Sequence, residues 1–193
     1  MGDPKRLRKK YQKPSHPWQM ARLAEEKPLF KEFGLKNKTE LWKMNSMTKS
    51  IAIQAKKLIA KRDDKQAQKE KELLLARLAR LNLIQPGAPI EAALGLSSKD
   101  MLERRLQTQV LRKNLARTIE QARQLITHRH IMVSRKVITS PAYIVSAEEE
   151  TRIEYAENSP MTNEAHPERP EAKAMPQVSE EKEKIENKNG TEK

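Results

Sequence analysis

Four histidines, His16, His128, His130 and His166, and the carboxylate run Glu148-Glu149-Glu150 are of types that hold metals or move protons. Their spacing argues against both. His128 and His130 stand two apart across an expected helix end, not at the i, i+4 separation of a helical zinc pair. No Asp or Glu follows them at ligand spacing, and the acidic run reads as a solvated turn. There is no cysteine, which excludes disulfides, thiolate metal sites and thiol nucleophiles. The sequence has only five glycines, no Gly-rich phosphate loop and no nucleophile elbow. We therefore expect no enzyme, metal, cofactor or small-molecule substrate.

The chemistry these residues favour is neutralisation of a polyanion. The 193 residues carry a net charge of +13, unevenly spread. Residues 1 to 146 hold 32 basic and 13 acidic side chains, a balance of +19; residues 147 to 193 hold 7 and 13, a balance of −6. Such asymmetry points to a polyanionic partner for the basic part and a solvated tail. Hydrophobic residues make up 36% and aromatics 4%, so one large core is not expected. Contact with a charged partner would help offset the entropy of ordering. No apolar run approaches the roughly 20 residues that span a bilayer. The basic N-terminus faintly resembles a transit peptide, but Pro4, Pro14 and Pro17 break any amphipathic helix there. Met-Gly at the start is not a myristoylation signal, because position 6 is Arg6. A membrane-surface role is disfavoured by the prolines and the few aromatics.

Four segments must position the charges. Residues 1–22, "MGDPKRLRKKYQKPSHPWQMAR", contain seven Lys/Arg and one acid and read as an extended basic arm. Its candidate contacts are Lys5, Arg6, Arg8, Lys9, Lys10, Tyr11, Lys13, His16 and Trp18. The cations suit phosphates; the rings can stack on bases or pack on sugars. A disordered basic tail is the plain alternative. Residues 23–100 read as a helical domain. Gly34 ends a first helix, and a second starts near Thr39, with Glu40 suiting its positive dipole end. Its exposed faces carry Lys43, Lys49, Lys56 and Lys57. Asp63 and Asp64 are candidate caps for a third helix, and Pro86-Gly87 stops it.

Residues 101–157 read as a small α+β module. Ser97-x-x-Asp100 starts a helix with a capping box, and Leu102, Leu106 and Val110 form one stripe. Arg104, Arg105 and Arg112 point off that stripe towards a partner. A second helix starts at Thr118, with Gln121 placed for another capping box. Its stripe is Ile119, Ala122 and Ile126, with Arg123 beside it. The period then turns to alternation: Ile131 and Val133, Val137 after a turn, Tyr143 and Val145, then Ile153 and Tyr155. Residues 158–193 read as a flexible tail, disordered or laid over a partner. The joint of helix and sheet gathers Arg117, Thr118, Gln121, Arg123, Gln124, His128, Arg129 and His130. Helix starts attract phosphates, so the two short helices could present a basic face to nucleic acid while the strands support them. Polar Thr118, Gln121 and Gln124 suit ribose hydroxyls or loop edges. The plain alternative is that the arginines only solubilise a thin domain.

Arg105-Leu106, Ala122-Arg123 and Ile131-x-Val133 stand in the order and spacing of the S four RNA-binding module, and "LERRLQTQVLRKNLARTIEQARQLITHRHIMVSRKVITSPAYIV" resembles it. The same module occurs in some pseudouridine synthases, tyrosyl-tRNA synthetases and heat-shock RNA-binding proteins. "MGDPKRLRKKYQKPSHPW", "EFGLKNKTELW" and "HPERP" extend the resemblance over roughly residues 1 to 170. Together they are similar to the archaeal branch of the universal S four family of small-subunit ribosomal proteins. That resemblance implies a cytoplasmic, ribosome-bound primary binder of small-subunit ribosomal RNA that acts early in assembly of the subunit body. It implies contact with a multi-helix RNA junction through both domains, and neighbouring small-subunit ribosomal proteins as further partners. The family usually has glycine between the two histidines and in the following hairpin; here Arg129 and Ser134-Arg135-Lys136 stand there. A non-glycine residue at positive φ costs on the order of 1 kcal/mol, which added phosphate contacts could offset. Zinc-ligating cysteines of some bacterial relatives are absent. The rival readings are a pre-ribosomal processing or assembly factor with the same module and, less well supported, an RNA-modifying enzyme. The enzyme would need a separate catalytic domain that this length does not hold.

Overall fold

The computed structural model describes residues 9, 11–61, 64–163 and 166–170. The contacts expected at Lys5, Arg6, Arg8 and Lys10, and a cap at Asp63, lie outside the described residues. Three long helices come first: α1 (Met20–Glu32), α2 (Lys38–Ala60) and α3 (Lys65–Arg80). A 3-10 turn at Ile90–Leu94 leads to α4 (Ser98–Glu103), α5 (Leu106–Arg112) and α6 (Ile119–Thr127). Strands β1 (Ile131–Val133), β2 (Lys136–Val137) and β3 (Ile153–Tyr155) follow, with α7 (Ala147–Glu150) before β3. The architecture is α+β, a helical part joined to a module with a three-stranded antiparallel sheet in the order β2-β1-β3.

The helix starts follow local chemistry. Asp64 caps α3 by accepting from the Gln66 amide at 3.0 Å. Ser97 and Asp100 form the full capping box of α4, satisfying two orphan donors at once. Thr118 accepts from the Gln121 amide at 3.1 Å, but the expected reciprocal bond is absent. Gln121 instead accepts from the Arg117 amide at 2.6 Å. Helix α2 starts at Lys38, after Asn37, two residues before Glu40.

Four helices end the same way. Gly34, Asn82, Asn114 and Arg129 have φ of 54°, 52°, 55° and 65°. The amide one residue later reaches back to a carbonyl five residues earlier: Leu35 to Phe30, Leu83 to Leu78, Leu115 to Val110 and His130 to Leu125, at 2.9–3.1 Å. This Schellman geometry satisfies orphan carbonyls and favours Gly or Asn at the left-handed position. Arg129 is the exception in residue type. At Gly34 a second demand adds to the first: a Cβ would lie 2.8 Å from Ile119 Cγ2 and 2.9 Å from Gln107 Nε2.

One expected helix is two. The chain breaks at Arg104-Arg105, with Arg105 extended ahead of α5. Segment 143–145, expected as a strand of the sheet, pairs with this break instead. Leu106 donates to the Tyr143 carbonyl at 2.7 Å, Val145 donates to the Arg104 carbonyl at 2.9 Å, and Arg105 bridges Ile144. The backbone groups freed by the break are thereby satisfied.

The break also splits the stripe between two cores. Leu102 packs with Met101, Phe33, Leu41 and Met44. Leu106 and Val110 pack with Ala122, Ile126, Ile131, Val133 and Ile153. A third cluster, Ala55, Leu74, Leu78, Ile90 and Ala93, closes α2 on α3. In the sheet Ile131 faces Tyr155 and Val133 faces Ile153, so alternate residues of β1 turn inward as the period predicts. Ser134 and Arg135, at φ 49° and 66°, form the two-residue turn between β1 and β2, with the type I′ signs that match strand twist.

Candidate nucleic-acid interface

The site is a set of cations on a frame, and the frame comes first. Glu40, in the first turn of α2, accepts from Arg105 Nη2 at 2.7 Å and from Arg123 Nη2 at 2.6 Å. Burial draws the Glu40 carboxyl upward, but the bonds from Arg123 and Arg105 outweigh it and hold it below the ordinary value of 4.5. Burial pulls the Arg105 guanidinium down, opposed by Glu40. Beside them Gln107 Nε2 donates to the carbonyls of Ile119 at 2.9 Å and Gly34 at 3.3 Å, while its Oε1 accepts from Arg123 Nε at 3.2 Å. One carboxylate and one amide thus fix the module against α2 and the end of α1.

That geometry corrects the expectation for two arginines. The Arg105 side chain is 1% exposed, and Arg104 is buried on Glu150 at 2.8 Å and the Val145 carbonyl. Neither presents its charge to a partner; both stabilise the chain break. Arg123 is spent mainly on Glu40, with 21% of its side chain exposed. Arg112 is exposed but pairs with Glu103 at 3.2 Å.

The start of α6 carries contacts of its own. The Arg117 guanidinium donates to the carbonyls of Pro167 and Arg169, and Gln121 Nε2 donates to the Glu168 carbonyl at 3.0 Å. The segment 166–170, expected to be part of a flexible tail, lies across the helix start and uses its donors. Arg169 also covers the Tyr155 ring, whose hydroxyl donates to the Leu115 carbonyl at 2.6 Å. Module packing therefore continues past the boundary expected at 157.

What remains outward is still basic. Lys43, Lys49, Lys56 and Lys57 are exposed on α2 and make no ion pair among the described residues. Thr118, Gln124, His128 and Arg129 are exposed around α6. His130 is half-buried, bonded to Ser159 at 3.0 Å and stacked on His128. Arg135 and Lys136 on the hairpin add two exposed cations. In the arm, Lys9, Lys13 and His16 are exposed, Trp18 is 84% exposed, and Tyr11 leans on Trp42. Arg22 donates to the His16 and Pro17 carbonyls and pairs with Glu26, so the turn carrying Trp18 is held.

Sequence reasoning missed Glu40 as a lock and Gln107 as a hub. A signal for Glu40 was present: it is the one carboxylate between Lys36 and Lys61. No described helix is long and apolar enough to cross a membrane. No group of three His, Cys, Asp or Glu among the described residues is placed to hold a metal ion.

The S4 domain family model matches residues 104–150, beginning at the chain break. The chain is 46% identical over 169 residues to small ribosomal subunit protein uS4 of Thermoplasma acidophilum, covering 86% of this chain and 85% of that protein. It is 46% identical over 169 residues to the same protein of Picrophilus torridus, covering 86% and 92%. For Nanoarchaeum equitans the figures are 47% over 165 residues, 85% and 92%.

Proposed function

The chain belongs to the uS4 family of small ribosomal subunit proteins, and from that premise we propose how its charges meet ribosomal RNA. It is a structural component of the small subunit and binds small-subunit rRNA through a frame of two parts. The observation that carries this is the division of labour among its cations. Arg104, Arg105 and Arg123 are spent on internal carboxylates. Lys43, Lys49, Lys56 and Lys57 of α2 and Arg129, Arg135 and Lys136 of the module are exposed and make no ion pair among the described residues. Exposed cations neutralise phosphates and release counterions, and structured RNA is read mainly by shape. The Glu40 lock sets the spacing between the two cationic surfaces, so one rigid body engages an RNA junction from two sides.

The role is binding without catalysis, as a primary rRNA binder that nucleates assembly of the subunit body. Neighbouring small-subunit proteins then dock on the complex. The test is binding of the full chain to protein-free small-subunit rRNA across salt. We expect a steep linear fall of log affinity with log salt, and sedimentation of the chain with mature small subunits after a high-salt wash. Indifference to folded rRNA at low salt overturns the reading. Presence only in precursor particles would favour a processing factor.

A further inference from the structure

One stripe of α2 lines an open cleft of about 490 Å³, which Lys9, Tyr11 and Gln12 of the basic arm also line. The volume lies within the roughly 300–1,000 Å³ of small-ligand pockets. Residues Ser46, Lys49, Ser50, Ile53, Gln54 and Lys57 recur at helical spacing along it. The arm is fastened across the cleft by the Gln12 amide donating to Ser46 Oγ at 3.0 Å. Tyr11 is braced on Trp42 with ring centres 6.4 Å apart.

The chemistry is mixed in a specific way. Lys9, Lys49 and Lys57 supply charge, and no carboxylate is among the described residues lining the cleft. Ser50 supplies a hydroxyl. Ile53 lines the cleft yet is 54% exposed, an apolar side chain in a cationic setting that no described residue covers. Tyr11 offers a ring on the opposite wall. A phosphodiester carrying an unstacked base presents the complement of this set: an anion for the lysines, a ribose hydroxyl for Ser50, and a flat apolar face for Ile53 and Tyr11.

We propose that this cleft takes one unpaired nucleotide of the small-subunit rRNA, its base between Tyr11 and Ile53 and its phosphates on Lys9, Lys49 and Lys57. The proposal rests on the rRNA-binding reading above and adds a single-nucleotide site to it. The arm is then one wall of a pocket and not only a source of charge. Charge complementarity favours RNA over an apolar peptide, which would leave three ammonium groups facing it.

The test uses the full chain bound to protein-free small-subunit rRNA, cross-linked by ultraviolet light, digested and read by mass spectrometry. We expect a nucleotide adduct on the peptide containing Tyr11. Ile53 is exposed, so Ile53→Glu should keep the fold, checked by its unfolding midpoint. It should remove the adduct and weaken rRNA binding about tenfold, the lower part of the range for losing one stacked base. Leu73→Glu, at a 71% exposed residue of α3 outside the cleft, should do neither. The proposal is overturned if Ile53→Glu keeps both adduct and affinity. It is also overturned if Ile53→Glu binds naked rRNA normally and loses incorporation only when other ribosomal proteins are present, since a protein would then be the occupant. If the wild-type chain fails to bind rRNA at all, the broader reading fails instead.

Discussion

Glu40 Oε2 lies 2.7 Å from Arg105 Nη2, 65 residues away in sequence, and the same oxygen holds Arg123 Nη2 at 2.6 Å. Arg105 is 1% exposed, and its Nε and Nη1 are buried with no hydrogen-bond partner among the described residues. Removing Glu40 therefore leaves a buried cation without its counter-charge. Breaking a buried pair from one side costs about 3–5 kcal/mol. Because Glu40 keeps some solvent contact, Glu40→Gln should cost about 3 kcal/mol, read as a lower urea midpoint at unchanged m-value. Replacing Glu40 and Arg105 removes the fully buried stranded charge and leaves only Arg123, which is 21% exposed and can turn to solvent, so Glu40→Leu with Arg105→Met should recover much of that loss. Equal midpoints for the single and double variants would show that the charge on Arg105 is not what makes Glu40 necessary.

The same carboxylate sets an acid limit. Its folded value is lowered below 4.5, so the folded state binds its proton less readily than the unfolded chain. The stabilisation is full above the unfolded value and is lost as pH falls through the folded one. Stability measured from pH 6 downward should fall below about pH 4.5 in the wild-type chain. Glu149, lowered by bonds from Ser146 and Tyr143 that outweigh its burial, contributes in the same direction. In Glu40→Gln the acid slope should be shallower by the Glu40 share. An unchanged slope would mean that Glu40 titrates as an ordinary surface acid.

Much of this fold is legible in the sequence because its signals are local. Ser97-x-x-Asp100 and Thr118 mark helix starts, and the alternation of Ile131 and Val133 marks the central strand; each depends on neighbours a few residues apart. The break at Arg104-Arg105 was not legible. The apolar spacing of Leu102, Leu106 and Val110 continues through it, and only the pairing with 143–145 shows why the helix stops. The same limit applies to the site. Exposed lysines of α2 are visible as cations lacking nearby acids. Whether an arginine faces RNA or a carboxylate 65 residues away is decided by tertiary contact. Gly34 joins both kinds of information: its place at a helix end is local, while its nearness to Ile119 is not.

The hairpin turn trades conformational ease for charge. Ser134 and Arg135 both hold positive φ, where a two-residue type I′ turn prefers Asn-Gly. Ser134→Asn with Arg135→Gly should raise stability by about 1 kcal/mol. Arg135 is exposed, so the same variant should bind rRNA more weakly. Its log affinity against log salt should be shallower by a little under one unit, the share of one phosphate contact. Opposite signs in the two measurements distinguish a charge retained for RNA from a turn tolerated by chance. A stabilised variant with an unchanged salt slope would remove Arg135 from the interface.

Arg117 provides the contrasting case, an exposed arginine whose Nη2 already bonds two peptide carbonyls. Its guanidinium bonds the carbonyls of Pro167 and Arg169, and Gln121 bonds that of Glu168 between them. Arg117→Ala removes two charge-assisted bonds, each worth about 1.5–3 kcal/mol if fully formed. Segment 166–170, a strap across the start of α6, should then open locally more often than the module unfolds. Limited proteolysis should cut between residues 157 and 170 several-fold faster in Arg117→Ala, with the global unfolding midpoint nearly unchanged. Because the guanidinium holds peptide carbonyls and not phosphate, the rRNA salt slope should also stay at its wild-type value. A slope reduced by about one unit, with no change in proteolysis, would reverse the assignment: Arg117 would leave the strap on binding and meet RNA directly.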